Sequence, residues 1–166
     1  MNELINSLKV LLANNVVLKF KSHGYHWNIE GEDFFEYHTL LQEIYEDFED
    51  AIDTNAEWIR KLGGYAPFKL KRFVELATVD EPDVSSDYEV MLPDLLESIT
   101  DVLEDLKNIF DQAAAQREQG LCNFLADRMD MHRRWMWQLS ATLKPEPMEE
   151  PASNMPASMG NTAVGE

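Results

Sequence analysis

The chain has 166 residues and a formal net charge of −17, from 14 Lys and Arg against 31 Asp and Glu. That length suits one domain, and so acidic a chain repels nucleic-acid phosphates and anionic lipid headgroups. The single cysteine, Cys122, excludes an internal disulfide framework. No apolar run approaches the roughly 18 residues of a membrane span, and Glu3 stands where a signal peptide carries positive charge. We therefore expect a soluble, cytoplasmic, single-domain protein.

Apolar residues with a period near 3.6 predict two helices in the first part of the chain. The first runs over about residues 2–26 and the second over about residues 33–62. The turn between them contains Gly31, the expected positive-φ residue. The pair Gly63-Gly64 is expected to end the second helix. Together these segments predict a helical hairpin.

Two further helices are predicted in the second part of the chain. The third is expected to start at Leu92 or Pro93, because proline suits the first turn of a helix and not its interior. It is expected to reach about Gln119 and to be broken by Gly120. A fourth helix is predicted over about residues 121–143.

A long connection, residues 65–86, separates the two helical hairpins, and residues 70–77 within it can form a two-turn helix. Such a connection is long enough to run the length of the bundle. The prediction is therefore an all-α, ferritin-like four-helix bundle with one long crossover, formed by residues 1–144. Residues 145–166 contain four of the seven prolines and neither a basic nor an aromatic residue. We predict that this segment is a disordered, acidic tail.

The second helix carries an acidic face opposite its apolar face. At about 100° per residue, Glu46, Asp50, Asp53 and Glu57 fall within about 60° of one another. Asp53 and Glu57 are one turn apart and can chelate one cation. A solvated helix face is the other interpretation of this pattern.

Two histidines lie on either side of the first turn, His26 at the end of the first helix and His38 near the start of the second. Two imidazoles with two carboxylates suit Fe²⁺, Mn²⁺ or Zn²⁺. Within one chain, however, about 25 Å of helix separates His38 from the pair Asp53 and Glu57. Either the set is accidental, or a two-fold axis crossing the second helix near residues 46–47 forms a metal site between two subunits.

These residues resemble a family signature. The matching residues are His26-Trp27-Asn28, Gly31, Phe34, His38, Asp53, Glu57 and Leu62-Gly63-Gly64, with Trp135-Met136 a looser match. The pattern resembles that of the Dps (DNA-protection-during-starvation) miniferritins. The resemblance implies a hollow dodecamer that oxidises Fe²⁺ with H₂O₂ and stores ferric iron, with one ferroxidase centre at each dimer interface. It also implies that His26, His38, Asp53 and Glu57 are the iron ligands, contributed by two subunits.

The chain departs from the family pattern at three places. Gln42 stands where the family usually has Asp, which affects a second iron position. The corner between the third and fourth helices is poor in acids, so that Asp127 and Asp130 are the candidates for an iron-entry pore. The chain also has no Lys-rich terminal segment of the kind that binds DNA in some members.

The predicted function is therefore ferroxidase and iron storage, with H₂O₂ or O₂ as the oxidant and Zn²⁺ as a possible competitor for the site. One alternative is a DNA-compacting protein with secondary iron chemistry, for which the Lys69, Lys71 and Arg72 cluster supplies candidate phosphate contacts. The net charge disfavours that alternative. A second alternative is a helical scaffold with a vestigial site. Trp27 is expected to pack beside the site or to protect it from oxidation.

Overall fold

A computed structural model of the chain describes residues 1–144, in which all the secondary structure is helical. The helices are α1 (Asn2–Asn28), α2 (Phe34–Lys61), α3 (Leu70–Leu76), α4 (Tyr88–Ala115) and α5 (Gln119–Thr142). Within the described range, none of them is both long enough and apolar enough to cross a bilayer. The predicted acidic tail, residues 145–166, lies outside the described residues.

The four long helices form a bundle around one apolar core. The α1–α2 and α4–α5 hairpins pack side by side, with α1 against α4 and α2 against α5, and α3 lies on α1. All four long helices contribute fully buried side chains, among them Leu8, Phe48, Ile99 and Leu125. The predicted four-helix bundle with a long crossover and a short helix within it is therefore confirmed.

The two glycine turns predicted for α2 are present. Gly31 has a φ of +131° just before the helix, and Gly63 has a φ of +85° just after it. Residues with a side chain rarely adopt these angles, so glycine lets the chain turn sharply at both positions. Both ends of α2, and hence the positions of the candidate ligands along it, are fixed by these turns.

The predicted start of α4 at Leu92 or Pro93 was wrong, because the helix begins at Tyr88. The side chain of Asp87 caps the helix by accepting a hydrogen bond from the backbone N–H of Glu89 at 2.8 Å. Pro93 therefore lies inside the helix, where it removes the bond to the carbonyl of Glu89. Both Pro93 and Glu89 are exposed, so water can solvate that carbonyl.

The predicted break at Gly120 was also wrong. The chain turns at Arg117, which has a φ of 60°, after α4 ends at Ala115. Gly120 lies in the first turn of α5, and a Cβ atom there would lie 2.9 Å from Cη2 of Trp58. The Trp58 ring approaches the backbone so closely that a side chain at this position would displace it. In the sequence, Gly120 was mistaken for a residue that ends a helix.

The crossover is held to the bundle by a buried asparagine. Asn14 of α1 accepts a hydrogen bond from the backbone N–H of Thr78 at 2.8 Å and donates one to the Thr78 hydroxyl at 2.9 Å. At the far end, the backbone N–H of Glu30 donates to the carbonyl of Ser86 at 3.1 Å. These contacts guide the crossover along α1 and leave one face of α2 uncovered.

Candidate metal centre

His26 and His38 meet across the α1–α2 turn. Their rings stack with centroids 3.6 Å apart and planes inclined by 19°. Nδ1 of His26 donates to the carbonyl oxygen of His38 at 2.7 Å, and Nδ1 of His38 donates to the carbonyl oxygen of His26 at 2.8 Å. The predicted approach of the two histidines is therefore present in a single chain.

The reciprocal hydrogen bonds set the tautomer of both rings. A carbonyl oxygen only accepts hydrogen bonds, so each Nδ1 must carry the proton. The lone pair of each ring then lies on Nε2, which is the arrangement found in histidines that bind metals. On its other face, the His38 ring is covered by Phe34, with centroids 4.8 Å apart. In both rings Nε2, rather than Nδ1, is therefore the nitrogen that a cation could bind.

Asp53 and Glu57 lie at the other end of α2, and both are exposed. Glu57 forms an ion pair with Lys61, one turn further along the helix, at 3.1 Å. The side chain of Asp53, inside the helix, makes no hydrogen bond or ion pair with any residue between 1 and 144. The carboxylates therefore have free oxygen atoms, but within residues 1–144 no other helix or loop supplies a further ligand beside them.

The four candidate ligands do not come together within one chain. Because α2 is continuous from Phe34 to Lys61, His38 and Asp53 are separated by about 22 Å along its axis. Within residues 1–144, no three His, Cys, Asp or Glu side chains are grouped closely enough to hold a metal ion. The separation expected from helical spacing is therefore present, and a four-ligand site requires a second chain.

Gln42 lies one turn after His38 on the exposed face of α2. Its side-chain amide donates to Oε1 of Glu46 at 2.8 Å. An amide is a neutral and weaker ligand than a carboxylate, so this position adds little negative charge to the candidate centre.

The other residues singled out by the sequence lie away from the histidine pair. Asp127 and Asp130 are exposed on α5, and Cys122 is buried. In the basic cluster of α3, Lys71 and Arg72 both pair with Glu75. None of these residues contributes to a cation site within the described part of the chain.

Sequence reasoning missed an aromatic cluster beside the histidine pair. The His23 ring stacks on Tyr45, with centroids 4.0 Å apart, and lies 4.2 Å from the Trp27 ring. The Nδ1 atom of His23 is buried with no hydrogen-bond partner in residues 1–144. Burial and the positive charge of Lys19 hold the pKa of His23 below its usual value. The sequence signal for this cluster was the spacing of His23 and His26, which lie one helical turn apart on the same face of α1.

A buried polar network between α2 and α5 was also missed. Arg128 forms a bidentate ion pair with Asp47 at 2.7 and 2.8 Å, and the Trp135 indole N–H donates to the same carboxylate at 2.8 Å. Burial alone would raise the pKa of Asp47, but the hydrogen bonds from Arg128 and Trp135 hold it below its usual value.

His132 lies within this network and is fully buried. Its Nδ1 atom donates a hydrogen bond to the carbonyl oxygen of Arg128 at 2.8 Å. Its Nε2 atom is buried and has no partner among the described residues. Burial and the positive charge of Arg128 lower the pKa of His132 to about 4. His132 is therefore a neutral structural histidine and is closed to metal ions.

Comparison with known proteins places the chain in a family. A family model described as a ferritin-like domain matches residues 5–147. An uncharacterised low temperature-induced protein of Nostoc is 33% identical over 97% of this chain and 90% of its own length. The DNA protection during starvation protein of Helicobacter pylori is 31% identical over 82% of this chain and 95% of its own.

A solved structure gives the same answer. The DPS protein of Vibrio cholerae, described as a member of a broad superfamily of ferritin-like diiron-carboxylate proteins, superposes with a TM-score of 0.83. It is 31% identical, and the match covers 86% of this chain and 90% of that protein. The chain therefore belongs to the ferritin-like family, as a Dps miniferritin.

Proposed function

We propose that this protein binds Fe²⁺ at sites shared by two subunits, oxidises it preferentially with H₂O₂, and stores the ferric product inside a hollow dodecamer in the cytoplasm. The observation that carries the proposal is the His26–His38 pair. Both Nδ1 atoms are committed to carbonyl oxygens, so both Nε2 atoms are available to a cation. The carboxylates that would complete the site, Asp53 and Glu57, are at the far end of the same helix.

A two-fold axis crossing α2 near residues 46–47 satisfies the ligand geometry. It sets two α2 helices antiparallel, so that His38 of one subunit faces the stretch that holds Asp53 and Glu57 in the other. The two ends of α2 also have complementary charge. Arg60 and Lys61 lie at the carboxyl end, and three acids (Glu32, Asp33 and Glu36) lie at the amino end. In an antiparallel pair, each cationic end meets an acidic end.

Exposed aromatic residues at both ends of α2 support the same pairing. Phe35 is 77% exposed and Trp27 is 62% exposed beside the histidine pair. Tyr65 and Phe68 are 78% and 85% exposed after the carboxyl end of the helix. Large apolar side chains exposed in groups are typical of surfaces that a partner covers. A second copy of the chain would bring these two groups together.

The ligand set suits the proposed chemistry. Two neutral imidazoles and two carboxylates neutralise one Fe²⁺ and leave room for further ligands. Two ferrous ions supply two electrons that, with two protons, reduce one H₂O₂ to two molecules of water. Delivery of the electrons as a pair avoids the one-electron route to hydroxyl radical. The residues of this chain orient the imidazoles and hold the negative charge that favours the ferric product. Zn²⁺ accepts the same ligands and would compete for the site.

DNA compaction is not part of the proposal. The −17 charge of each chain opposes a phosphate backbone. In the basic cluster that could contact phosphates, Lys71 and Arg72 are paired with Glu75.

Molar mass and iron content, measured on the same sample, test the proposal. Light scattering should give about 230 kDa for twelve subunits of 19.2 kDa. After loading with Fe²⁺ and H₂O₂, the iron should elute with that species as ferric iron. A stable monomer at micromolar concentration and neutral pH would contradict the shared site, because one chain cannot bring the four ligands together. An oligomer that consumes no peroxide with Fe²⁺ would instead favour a structural scaffold.

A further inference from the structure

The aromatic cluster beside the histidine pair supplies no ligand to the proposed metal site. It consists of His23, Trp27 and Tyr45. His23 and Trp27 come from the last two turns of α1, and Tyr45 comes from α2. The His23 ring lies between the other two, 4.2 Å from the Trp27 ring and 4.0 Å from the Tyr45 ring. Two helices are therefore joined here by stacked rings.

This cluster contacts the metal-binding pair through His26. The Tyr45 ring meets the His26 ring edge to face, with centroids 5.3 Å apart. The His38 ring stacks on the same His26 ring at 3.6 Å. His26 is thus flanked by His38 and Tyr45, and His23 packs against Tyr45 while its own ring lies 5.9 Å from the His26 ring.

The contacts of His23 indicate which property of the side chain matters. Its ring is flanked by Tyr45 and Trp27, and its Nδ1 atom is buried with no hydrogen-bond partner in residues 1–144. A buried, unpaired nitrogen costs free energy, whereas aromatic pairs at these distances stabilise the fold. The flat ring, rather than the nitrogen, is therefore what this position contributes.

We propose that His23 and Tyr45 are positioning residues, which fix the direction of the His26 imidazole so that its Nε2 atom is aligned before a cation arrives. This inference rests on the proposed function, because it assumes that His26 binds the metal. Without the His23 ring, Tyr45 can rotate into the vacated space, and His26 then keeps only the contact with His38. Loss of a group that orients a metal-binding histidine weakens metal affinity by about tenfold or more.

Co²⁺ binding to the full-length protein tests the proposal, because Co²⁺ reports both affinity and ligand geometry through its visible absorption. His23→Ala and Tyr45→Ala should each bind Co²⁺ about tenfold more weakly and show a shifted absorption band. His23→Phe and Tyr45→Phe keep the rings and should stay within about twofold of the unmodified protein. Phe20→Ala, which removes an exposed ring of α1 one turn before His23, is the matched control and should change neither readout.

The outcomes separate this inference from the proposed function. Unchanged affinity and absorption in His23→Ala would overturn the positioning role. So would a loss in His23→Phe equal to that in His23→Ala, since it would show that the nitrogen acts directly. His38→Ala tests the shared metal site itself. If His38→Ala binds Co²⁺ as tightly as the unmodified protein, the proposed function fails, and the positioning role fails with it.

Discussion

The two ends of α2 differ in how much of the candidate site they complete. At the amino end, His38 is stacked on His26, hydrogen-bonded to it and covered by Phe34. At the carboxyl end, Asp53 and Glu57 are exposed, and within residues 1–144 their side chains form one ion pair, that of Glu57 with Lys61. The amino end is preorganised within the chain, whereas the carboxyl end has two exposed candidate carboxylates that no third His, Cys, Asp or Glu of residues 1–144 joins.

The difference explains why the fold of one chain does not reveal the site. The backbone carbonyl of each histidine accepts a hydrogen bond from the other ring, so in the proposed site this half is partly ordered before a partner arrives. The carboxylates acquire a role only if a second chain brings a histidine pair to them. In the proposed shared site, metal binding would be coupled to assembly, because neither half alone offers all four candidate ligands.

The largest effect on metal affinity is expected from substituting the two carboxylates at the carboxyl end of α2. Asp53→Asn with Glu57→Gln should weaken Co²⁺ binding by at least about a thousandfold, since two charged ligands are lost. The fold should be unaffected, because both side chains are exposed. Titration calorimetry on the assembled protein measures the affinity.

The matched control changes the same charge on the same face. Glu46→Gln with Asp50→Asn removes two exposed carboxylates that lie between the two halves of the proposed site. If this control weakens binding as much as Asp53→Asn with Glu57→Gln, general acidity rather than ligation explains the affinity.

His132 shows whether a free Nε2 atom is what distinguishes a metal-binding histidine from a structural one. Its Nδ1 atom donates to a carbonyl oxygen just as in the His26–His38 pair, but its Nε2 atom is enclosed. Substitution of His132 by Leu should leave Co²⁺ affinity within about twofold. Its effect should instead be on acid stability. A large loss of Co²⁺ binding in a folded His132→Leu oligomer would contradict this assignment.

The sign of the acid effect follows from the pKa. In the folded chain the pKa of His132 is lowered to about 4, whereas the ordinary value is 6.5. Between these values the unfolded chain binds the extra proton, so the free energy of unfolding falls as the pH drops from 6.5 to 4. The loss should reach about 3 kcal/mol. Urea titrations at several pH values should show it, and His132→Leu should lack this part of the decline.

The helices and the approach of the two histidines could be predicted because both are local properties. Hydrophobic period located the four long helices, and Gly31 located the turn that brings His26 to His38. The start of α4 was misplaced because the cap at Asp87 outweighs the unfavourable position of Pro93. A local sequence pattern does not show whether a favourable cap outweighs an unfavourable proline.

The supporting contacts of the site could not be predicted because they join distant parts of the chain. His23 and Tyr45 are on different helices, and the pairing of Asp47 with Arg128 depends on how α5 packs against α2. Each of these side chains has an ordinary alternative as an exposed helix residue. Only the packed bundle shows which rings and charges meet.

Mixed oligomers show whether each proposed site takes its ligands from two chains. One variant carries His26→Ala and His38→Ala, and the other carries Asp53→Ala and Glu57→Ala. Each alone should lack peroxide-dependent Fe²⁺ oxidation. After co-expression, about half the dimers are mixed, and one of the two sites in each mixed dimer is intact, so about a quarter of the normal activity should return. No recovery in verified mixed oligomers would show that the histidines and carboxylates do not share a site.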